Sequence, residues 1–452
     1  MENITKNIIV KNIMLHILKK HIEQIKKGGI IVIIKKLRSF IYLLLQIPFY
    51  LISIPLVFII RLMKPWYLVR WQELDSNRIG NYSATPELYC CEKDAGINIP
   101  SQRFVDFFYL RKYVCNKQLD KMWRRSLIIL PTWLLLPLCR VNRFIGFFIA
   151  NGQEHEIGTI VDKVNLWHDK ERDVNNLIDK FPVHISFTLD EEFKGKEILK
   201  KFGVPKEAKF ICLQVRDSAY LDRHEEIRVG DWSYHNYRDG DIDKYVLAAE
   251  ELANRGYYIF RMGVKVLKPL KSPNPKIIDY VNSGMRSDFM DIYLGAKCTF
   301  CISTGSGFDG IPFIFRKPIT YIYLPLGYLY TYSDKYLTIT KHQINKKNQK
   351  ELTISEIFSS NVALSVDGNE FKQNDVEYRE NSPEEIRDLV IEMDDRLNGN
   401  WKETKEDKIL QEKFWSIFEE NMKKLNFKKI LHGKIKARFG TKYLRDNQDW
   451  IK

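Results

Sequence analysis

Three segments between residues 209 and 315 decide the fold of this chain. They read KFICLQVRDSAYLDRH at Lys209–His224, GDIDKYVLAAEELANRGYYIFRMG at Gly240–Gly263 and DIYLGAKCTFCISTGSGFDGIPFIF at Asp291–Phe315. Each contains a short apolar run that is typical of a buried strand, and apolar residues at helical spacing precede the second and third runs. This alternation predicts an α/β fold with a parallel sheet and crossover helices.

The predicted elements have clear boundaries in the sequence. Gly256 ends one helix, and Ser287 is placed to cap the next. Further along, Ser382, Pro383 and Glu385 form the start signal of another helix, a capping box. The predicted strands are Phe210–Val215, Tyr257–Met262 and Thr299–Ser303, and the helices between them are Asp243–Asn254 and Ser287–Ala296.

Polar side chains and glycines lie at the ends of all three predicted strands. Ligands of parallel sheets bind outside the carboxyl ends of the strands. Arginines offer forked donors to phosphate oxygens, and a Gly-Ser turn before a helix exposes backbone N–H groups. The sequence therefore predicts a site for a phosphate-bearing ligand, although each feature taken alone is also explained by a strand end or a turn. The candidate residues are Arg216, Asp217, Arg261, Ser303, Thr304, Gly305, Ser306 and Gly307.

A long polar loop, His224–Asp243, separates the first strand from the following helix. Loops of this length in compact domains are usually functional. Asp239-Gly240-Asp241 has the spacing of a metal-binding acid pair, but an aspartate that caps the next helix explains it more simply, so no metal is expected. The candidates for contacting a sugar or a base are Tyr234, His235, Asn236, Tyr237 and Arg238.

Five stretches carry a resemblance to a known family. They are QVRDSAYLD at 214–222, YHNYRDGDIDKY at 234–245, YIFRMG at 258–263, STGSGFDGIPFIFRKP at 303–318 and ENSPEEIRDLVIEM at 380–393. They resemble a family of bacterial glycosyltransferases for surface polysaccharides such as capsule, O-antigen and lipopolysaccharide. The resemblance implies two Rossmann-like domains that face a central cleft, the GT-B layout. It also implies transfer of a sugar from a nucleotide-sugar co-substrate to a glycan or lipid-linked acceptor, with no further cofactor.

The same resemblance implies roles for single residues. Arg216 and Arg261 would neutralise the charge of the leaving diphosphate. The acceptor-side segment of the family carries Arg-Ile-Gly followed by His, whereas this chain has Arg78-Ile79-Gly80-Asn81. A histidine base is therefore not expected here. Glu87 is the nearest carboxylate for that role, and it is also explained as an ordinary acid in the first turn of a helix.

Charge and cysteine content narrow the partners and the compartment. The chain has 452 residues and a net charge of +14, with much of the excess near its two ends. No nucleic-acid-binding motif accompanies this charge, so an anionic membrane surface is the preferred partner and nucleic acid is not expected. The seven cysteines include a single CxxC at Cys298 and Cys301, and they are expected to be reduced and structural.

The amino-terminal region predicts membrane attachment. Residues 1–38 interleave lysines with apolar residues, a pattern typical of an amphipathic helix on an anionic bilayer. The run FIYLLLQIPFYLISIPLVFIIRLM at Phe40–Met63 is long enough to span, but Pro48 and Pro55 would kink it, and basic residues flank both ends. The sequence predicts a kinked anchor on the cytoplasmic face of the bacterial inner membrane. A soluble helix hairpin broken at the prolines is the alternative.

These segments divide the chain into four predicted parts. Within residues 66–203, Arg103–Arg125 is expected to be helical. Leu127–Leu138 is expected to be either a buried strand and turn or a second wedge beside the anchor that continues to Phe144–Ile149. Two rival functions remain open: a metal-dependent sugar-phosphate transferase and a non-catalytic membrane scaffold. The four parts are an anchor at 1–65, an acceptor-side α/β domain at 66–203, a nucleotide-sugar-binding α/β domain at 204–350 and a helical segment with a basic tail at 351–452.

Overall fold

The structure is a computed structural model that describes most of the chain. Most of the predicted amphipathic segment 1–38 and part of the predicted loop, residues 224–232, lie outside the described residues. The contacts group the chain into two units, which we describe separately: Met1–Trp71, Gln102–Tyr109 and Leu130–Ile160 form unit 1, and Gln72–Ser101, Leu110–Ile129 and Val161–Lys452 form unit 2. The described residues are 44–149, 152–157, 172–220, 233–322, 333–360, 362–365, 367–425 and 433–452, with residues 30, 34, 37, 41 and 326.

The elements are numbered in chain order. The helices are α1 Leu44–Met63, α2 Ile79–Asp94, α3 Lys117–Ser126, α4 Thr132–Gly146, α5 Leu189–Lys201, α6 Val246–Asn254, α7 Asp288–Lys297, α8 Gly310–Ile314, α9 Ile354–Ser359, α10 Gly368–Gln373, α11 Pro383–Leu397, α12 Lys405–Lys424 and α13 Thr441–Asp446. The strands are β1 Tyr67–Leu74, β2 Arg103–Leu110, β3 Phe210–Gln214, β4 Tyr258–Arg261, β5 Ile277–Ile278, β6 Cys301–Ser303, β7 Ile319–Ile322, β8 Leu337–Ile339, β9 His342–Asn345, β10 Val376–Arg379 and β11 Arg438–Phe439.

Unit 1 contains the long apolar helix α1. It has 20 residues, and its most apolar window of 18 residues has a mean hydropathy of 1.9, so by length and composition α1 could cross a membrane. The helix continues through Pro48 and Pro55, and the alternative of a hairpin broken at the prolines is therefore wrong. α1 packs on α4 through a small apolar core of Val57, Val141 and Ile145.

Unit 2 is built on a seven-stranded sheet with the order β11-β8-β7-β6-β3-β4-β5. Every neighbouring pair in this sheet is parallel. Its central strands are apolar and buried, as expected for strands with helices on both faces. The predicted α/β fold with a large parallel sheet is confirmed. The carboxyl-terminal segment, predicted as helices and a tail, also supplies the edge strand β11.

Local sequence signals fix several boundaries in unit 2. The Ser287 hydroxyl accepts a hydrogen bond of 3.2 Å from the Met290 N–H and caps α7. The capping box of Ser382 and Glu385 begins α11, with Pro383 at its first position. Each of these interactions satisfies a backbone donor that the first turn of a helix leaves free. The predicted starts of both helices are confirmed.

Residues 66–203 differ from the second Rossmann-like domain that was expected. In the described part of this range, β1 and β2 pair with each other, and no larger sheet is present. Arg103–Leu110 is a strand where a helix was predicted, whereas the later part of that prediction is helical as α3. For Leu127–Leu138 two alternatives were open, and the helix Thr132–Gly146 rules out the strand. Short apolar runs do not distinguish the two states by periodicity, and packing decides between them.

Candidate active site

The three predicted strand ends lie side by side. β3 has β6 on one side and β4 on the other, so Gln214 is in register with Ser303 and Leu213 is in register with Arg261. The carboxyl ends of parallel strands meet at one edge of the sheet. Residues that are nearly ninety positions apart in sequence therefore come together at this edge, as predicted.

The Gly-Ser turn after β6 is organised around a buried acid, Asp309. The Ser303 hydroxyl donates to one carboxylate oxygen of Asp309, and the Ser306 N–H donates to the other at 2.8 Å. The Gly305 N–H donates to the Ser303 hydroxyl at 3.1 Å, and Gly305 has a φ of +76°, which glycine adopts readily. The turn is therefore preformed. The Ser306 N–H, which was expected to bind phosphate, donates instead to Asp309.

Burial raises the pKa of Asp309 to about 7. Hydrogen bonds from Ser303 and Ser306 and the charge of the nearby Arg238 act in the opposite direction. Asp309 was not among the predicted site residues. The sequence does carry a signal for it, because a serine followed three residues later by an acid has the spacing of a capping box.

Arg216 connects three pieces of this edge. Its backbone N–H donates to the Thr304 hydroxyl at 2.9 Å, one guanidinium nitrogen donates to the His235 carbonyl at 3.1 Å, and the same nitrogen pairs with Asp239. Asp239 is therefore an ion-pair partner of Arg216. Asp241, the second acid of the predicted pair, caps a 3-10 helix at Ile242–Tyr245, as the simpler interpretation predicted.

Arg261 is almost entirely buried, with a relative exposure of 1%. Its guanidinium lies between Asp217 and Asp279. Nη2 is 3.8 Å from Oδ2 of Asp217, and Nη1 is 3.8 Å from Oδ1 of Asp279. This distance is longer than a hydrogen bond, and Nε and Nη1 of Arg261 donate to no atom of the described residues. Burial lowers the pKa of Arg261.

Asp217 follows β3, as predicted, and its carboxylate is engaged by the backbone. Its carboxylate accepts hydrogen bonds from the backbone N–H groups of Ala219 at 3.0 Å and Leu267 at 2.9 Å. It therefore ties the segment after β3 to the segment after β4. These contacts satisfy both carboxylate oxygens, which argues against a direct contact between Asp217 and a phosphate.

The predicted substrate loop contains a 3-10 helix, Ser233–Arg238. The Tyr237 ring lies 4.9 Å from Phe371 and 5.7 Å from Tyr378, measured between ring centroids, so it belongs to an aromatic cluster and not to a ligand surface. The rings of Tyr234 and His235 are 4.0 Å apart and half-buried, and Asn236 is exposed.

Lys341, which was not among the predicted site residues, binds the backbone of the predicted substrate loop. Its ammonium donates to the carbonyls of Tyr237 at 3.1 Å and Asp239 at 2.6 Å. Burial lowers the pKa of Lys341 to about 8. The lysine thereby holds in place the segment that carries the ion-pair partner of Arg216.

The acceptor-side segment of unit 2 packs against the Gly-Ser turn. Arg78 precedes the first residue of α2, and Gly80 and Asn81 lie in its first turn. A Cβ atom on Gly80 would lie 3.2 Å from the Cα of Gly307, and one on Gly310 would lie 3.0 Å from the Cα of Gly80. The two predicted motifs, more than two hundred residues apart in sequence, are therefore in direct contact.

Glu87 lies in an ionic cluster within unit 2. It is fully buried, and one of its carboxylate oxygens is 2.6 Å from an Arg316 nitrogen and 3.0 Å from Nδ1 of His184. The other ring nitrogen of His184 is 2.9 Å from Asp94. A fully buried carboxylate that is held by two side chains presents no oxygen to a substrate hydroxyl, whereas a general base must lie within hydrogen-bond reach of the proton that it takes. This position corrects the expectation that Glu87 is the acceptor base.

The same cluster has the residue types of a metal site, because Glu87, Cys91 and His184 place one ligand atom each within 4.8 Å of one another. The Arg316 guanidinium is already hydrogen-bonded to Glu87 and lies 3.5 Å from the Cys91 sulfur. Burial alone would lower the pKa of His184, but hydrogen bonds to Cys91, Glu87 and Asp94 raise it to about 10. A protonated imidazole cannot coordinate a metal ion, and the Arg316 guanidinium places a second positive charge beside the same atoms. Glu87, Cys91 and His184 are therefore unsuited to binding a cation.

Comparisons with known proteins give structural neighbours only. No protein-family model and no curated protein matches the sequence. Several solved structures resemble the fold, including three glycosyltransferases with 11–12% identity to this chain. They are the ADP-heptose LPS heptosyltransferase II of E. coli (60% of this chain and 90% of that chain, TM-score 0.35), a family 9 glycosyl transferase from Veillonella parvula (73% and 97%, TM-score 0.41) and the E. coli heptosyltransferase WaaC with ADP-2-deoxy-2-fluoro heptose (60% and 93%, TM-score 0.29).

These three neighbours are named as glycosyltransferases, which is the enzyme class that the resemblance implied. At these identities and TM-scores the likeness does not by itself establish an activity. The function proposed below is therefore argued from the residues of this chain.

Proposed function

We propose that this chain is a glycosyltransferase that moves a sugar from a nucleotide-activated donor to a cell-surface glycan or lipid-linked acceptor. In this proposal the seven-stranded sheet is the donor-binding domain of a GT-B enzyme. The donor diphosphate binds at the edge formed by the carboxyl ends of β6, β3 and β4. Capsule, O-antigen and related envelope polysaccharides are the proposed products.

One observation carries the proposal: the guanidinium of Arg261 is buried with donors that the described residues leave unsatisfied. A buried donor without an acceptor is costly, and the two carboxylates beside it are too distant to bond. Oxygens of a bound diphosphate would supply the missing acceptors. The preformed Gly-Ser turn on β6 lies two strands away, with Arg216 between them.

The proposed mechanism rests on electrostatic stabilisation. As the bond between the sugar and the diphosphate breaks, negative charge accumulates on the departing phosphate oxygens. Arg216 and Arg261, both buried, would stabilise that charge with preorganised donors. The acceptor hydroxyl must lose a proton in the same reaction, and we assign no base to this step because Glu87 is held in an ion pair.

The metal-dependent sugar-phosphate transferase receives no support from this arrangement. Asp239 pairs with Arg216, and Asp241 accepts a hydrogen bond of 2.9 Å from Lys268. Both acids of the predicted metal motif are thus engaged by basic side chains. Two arginines would carry out the charge neutralisation that such enzymes obtain from a divalent ion.

We also propose that the enzyme works on the cytoplasmic face of the bacterial inner membrane. Support comes from α1, whose most apolar window is only 17% buried. The lysines of residues 1–38 add a positive charge that would favour anionic lipid.

Calorimetry and thermal-shift measurements on the full chain with UDP, GDP, CMP and dTDP test the donor site. We expect one nucleotide to bind and to raise Tm. Arg261→Lys keeps the charge but removes the forked donors, and it should weaken that binding by about tenfold or more. The control is Arg255→Lys, which alters an arginine paired with Asp394 and Asp395. A folded chain that binds none of the four would support the scaffold. Unchanged affinity in Arg261→Lys would remove Arg261 from the site.

A further inference from the structure

The helix α1 buries polar side chains and exposes large apolar ones, the reverse of the arrangement in a water-soluble protein. Gln46 and Ser53 are buried at 7% and 3% exposure, whereas Leu45, Leu51 and Leu62 are exposed at 62–72%. Soluble proteins place the apolar stripe of a helix inward. Here the polar residues face the protein, and apolar residues cover most of the remaining circumference, which a bilayer can surround more readily than a partner protein.

The apolar surface continues onto α4 and the residues that follow it. Trp133 near its start and Phe144 near its end are exposed, and Phe147 and Phe148 beyond it reach 85% and 76% exposure. The ring centroids of Phe49 on α1 and Trp133 on α4 are 5.2 Å apart. The exposed surfaces of the two helices therefore form one continuous apolar patch.

Polar bonds fix the two helices to each other. The Arg61 guanidinium donates to the side chain and to the backbone carbonyl of Asn142, both at 2.8 Å. The Arg140 guanidinium donates to the Tyr50 hydroxyl at 2.6 Å. These bonds join side chains across the helix pair, so α1 and α4 present the patch as one body.

The charges of α4 distinguish it from a spanning helix. Arg140 and Arg143 are exposed, and Arg143 is paired with Glu156. Two exposed arginines in the second half of a helix are unfavourable in the hydrocarbon core but favourable at the level of the lipid phosphates. Tryptophan and phenylalanine on the same helix suit the interfacial layer.

We infer that α4 and the segment to Ile149 form a second membrane-contacting element, which lies in the lipid–water interface beside α1. The occupant of the patch is an anionic bilayer, with Arg140 directed to lipid phosphates and Phe147 and Phe148 inserted among the acyl chains. The inference rests on the membrane attachment proposed above, and it adds that α1 is not the only contact.

Depth-dependent quenching on the full chain tests this inference. Three variants each carry an environment-sensitive dye on one introduced cysteine: Ile52→Cys in α1, Phe148→Cys after α4 and Ile409→Cys in unit 2. The unsubstituted chain is treated with the same dye, and its signal measures the labelling of the native cysteines. Vesicles contain phosphatidylcholine and phosphatidylglycerol with acyl chains brominated at a shallow position. We expect a blue shift and quenching at positions 52 and 148 and no change at 409. Quenching at 52 alone would overturn the role of α4 and leave the α1 anchor standing.

A binding measurement separates lipid contact from protein contact. In Phe147→Asp/Phe148→Asp, two exposed side chains become charged, and we expect vesicle affinity to fall by about tenfold or more while nucleotide affinity is unchanged. Ile409→Asp, which alters another exposed apolar residue, should bind vesicles like the parent chain. Unchanged vesicle affinity of the double variant would overturn the inference. So would a change from dimer to monomer with no change in lipid binding, because the patch would then join two copies of the chain.

Discussion

Gly80 and Gly307 touch through their backbones, and a Cβ atom on Gly80 would lie 3.2 Å from the Cα and 3.3 Å from the carbonyl oxygen of Gly307. This contact brings the first turn of α2 against the turn after β6. The atoms opposite Gly80 are backbone atoms, which cannot rotate away as a flexible side chain can. The close approach therefore disfavours any side chain at position 80.

Gly80→Ala should destabilise the protein. In an unrestricted helix the same change would stabilise by about 0.5–1 kcal/mol, because alanine loses less backbone entropy than glycine on folding. Here we expect crowding to outweigh this gain, with a net loss of about 1–2 kcal/mol in urea unfolding. Asn81→Ala on the same turn is the control, since its side chain makes one long hydrogen bond of 3.4 Å to Asp75. A Gly80→Ala protein more stable than its parent would contradict the close contact.

Glu87→Gln tests the ionic cluster. The substitution keeps the shape of the side chain but leaves Arg316 and the protonated His184 without their buried counter-charge. We expect a loss of about 3–5 kcal/mol in the free energy of unfolding. The matched control is Asp94→Asn, which removes an exposed partner of the same histidine and should cost less than about 1 kcal/mol. A Glu87→Gln protein of parental stability that has lost only activity would instead restore Glu87 as a base.

The pKa of Asp309 predicts a pH dependence of stability. The folded protein raises this pKa to about 7 from an ordinary value of 3.8, so it binds the proton more tightly than the unfolded chain does. The resulting stabilisation is fully present below about pH 4 and is lost as the pH rises to 7.

Asp309→Asn imitates the protonated carboxyl and should lack this contribution. Between pH 5 and pH 7, the parent should lose about 2–3 kcal/mol of unfolding free energy relative to Asp309→Asn. Urea unfolding at a series of pH values measures the difference. Parallel curves for the two proteins would show that Asp309 does not titrate in this range.

Much of unit 2 was predictable from local sequence. The apolar runs of β3, β4 and β6 and the caps at Ser287 and Ser382 gave the elements, and parallel topology placed Arg216, Arg261 and Ser303 at one edge. The partners of these residues were not predictable. Asp309 bonds back to the turn that precedes it, and Asp239 pairs with Arg216 across a long loop. Such pairings depend on the path of the loop, which periodicity does not encode.

Sequence was least informative in residues 66–203. Arg103–Leu110 is a strand and not the predicted helix, and the state of Leu127–Leu138 could not be decided, because short apolar stretches satisfy the requirements of either a buried strand or a buried helix. Glu87 was chosen for its position near the acceptor-side motif. Its actual environment depends on Arg316 and His184, which approach it from distant parts of the chain.

By itself the sequence determined a parallel α/β sheet, the polar groups at its carboxyl edge and a long apolar segment near the amino terminus, because these follow from the spacing of residues along a strand or helix. Only the tertiary structure decided which charges are paired, that Gly80 meets Gly307, and that α1 turns Gln46 and Ser53 inward and most of its apolar residues outward. The physical reason is that burial and ion pairing are properties of packed surfaces, and these surfaces are assembled from segments that are remote in sequence.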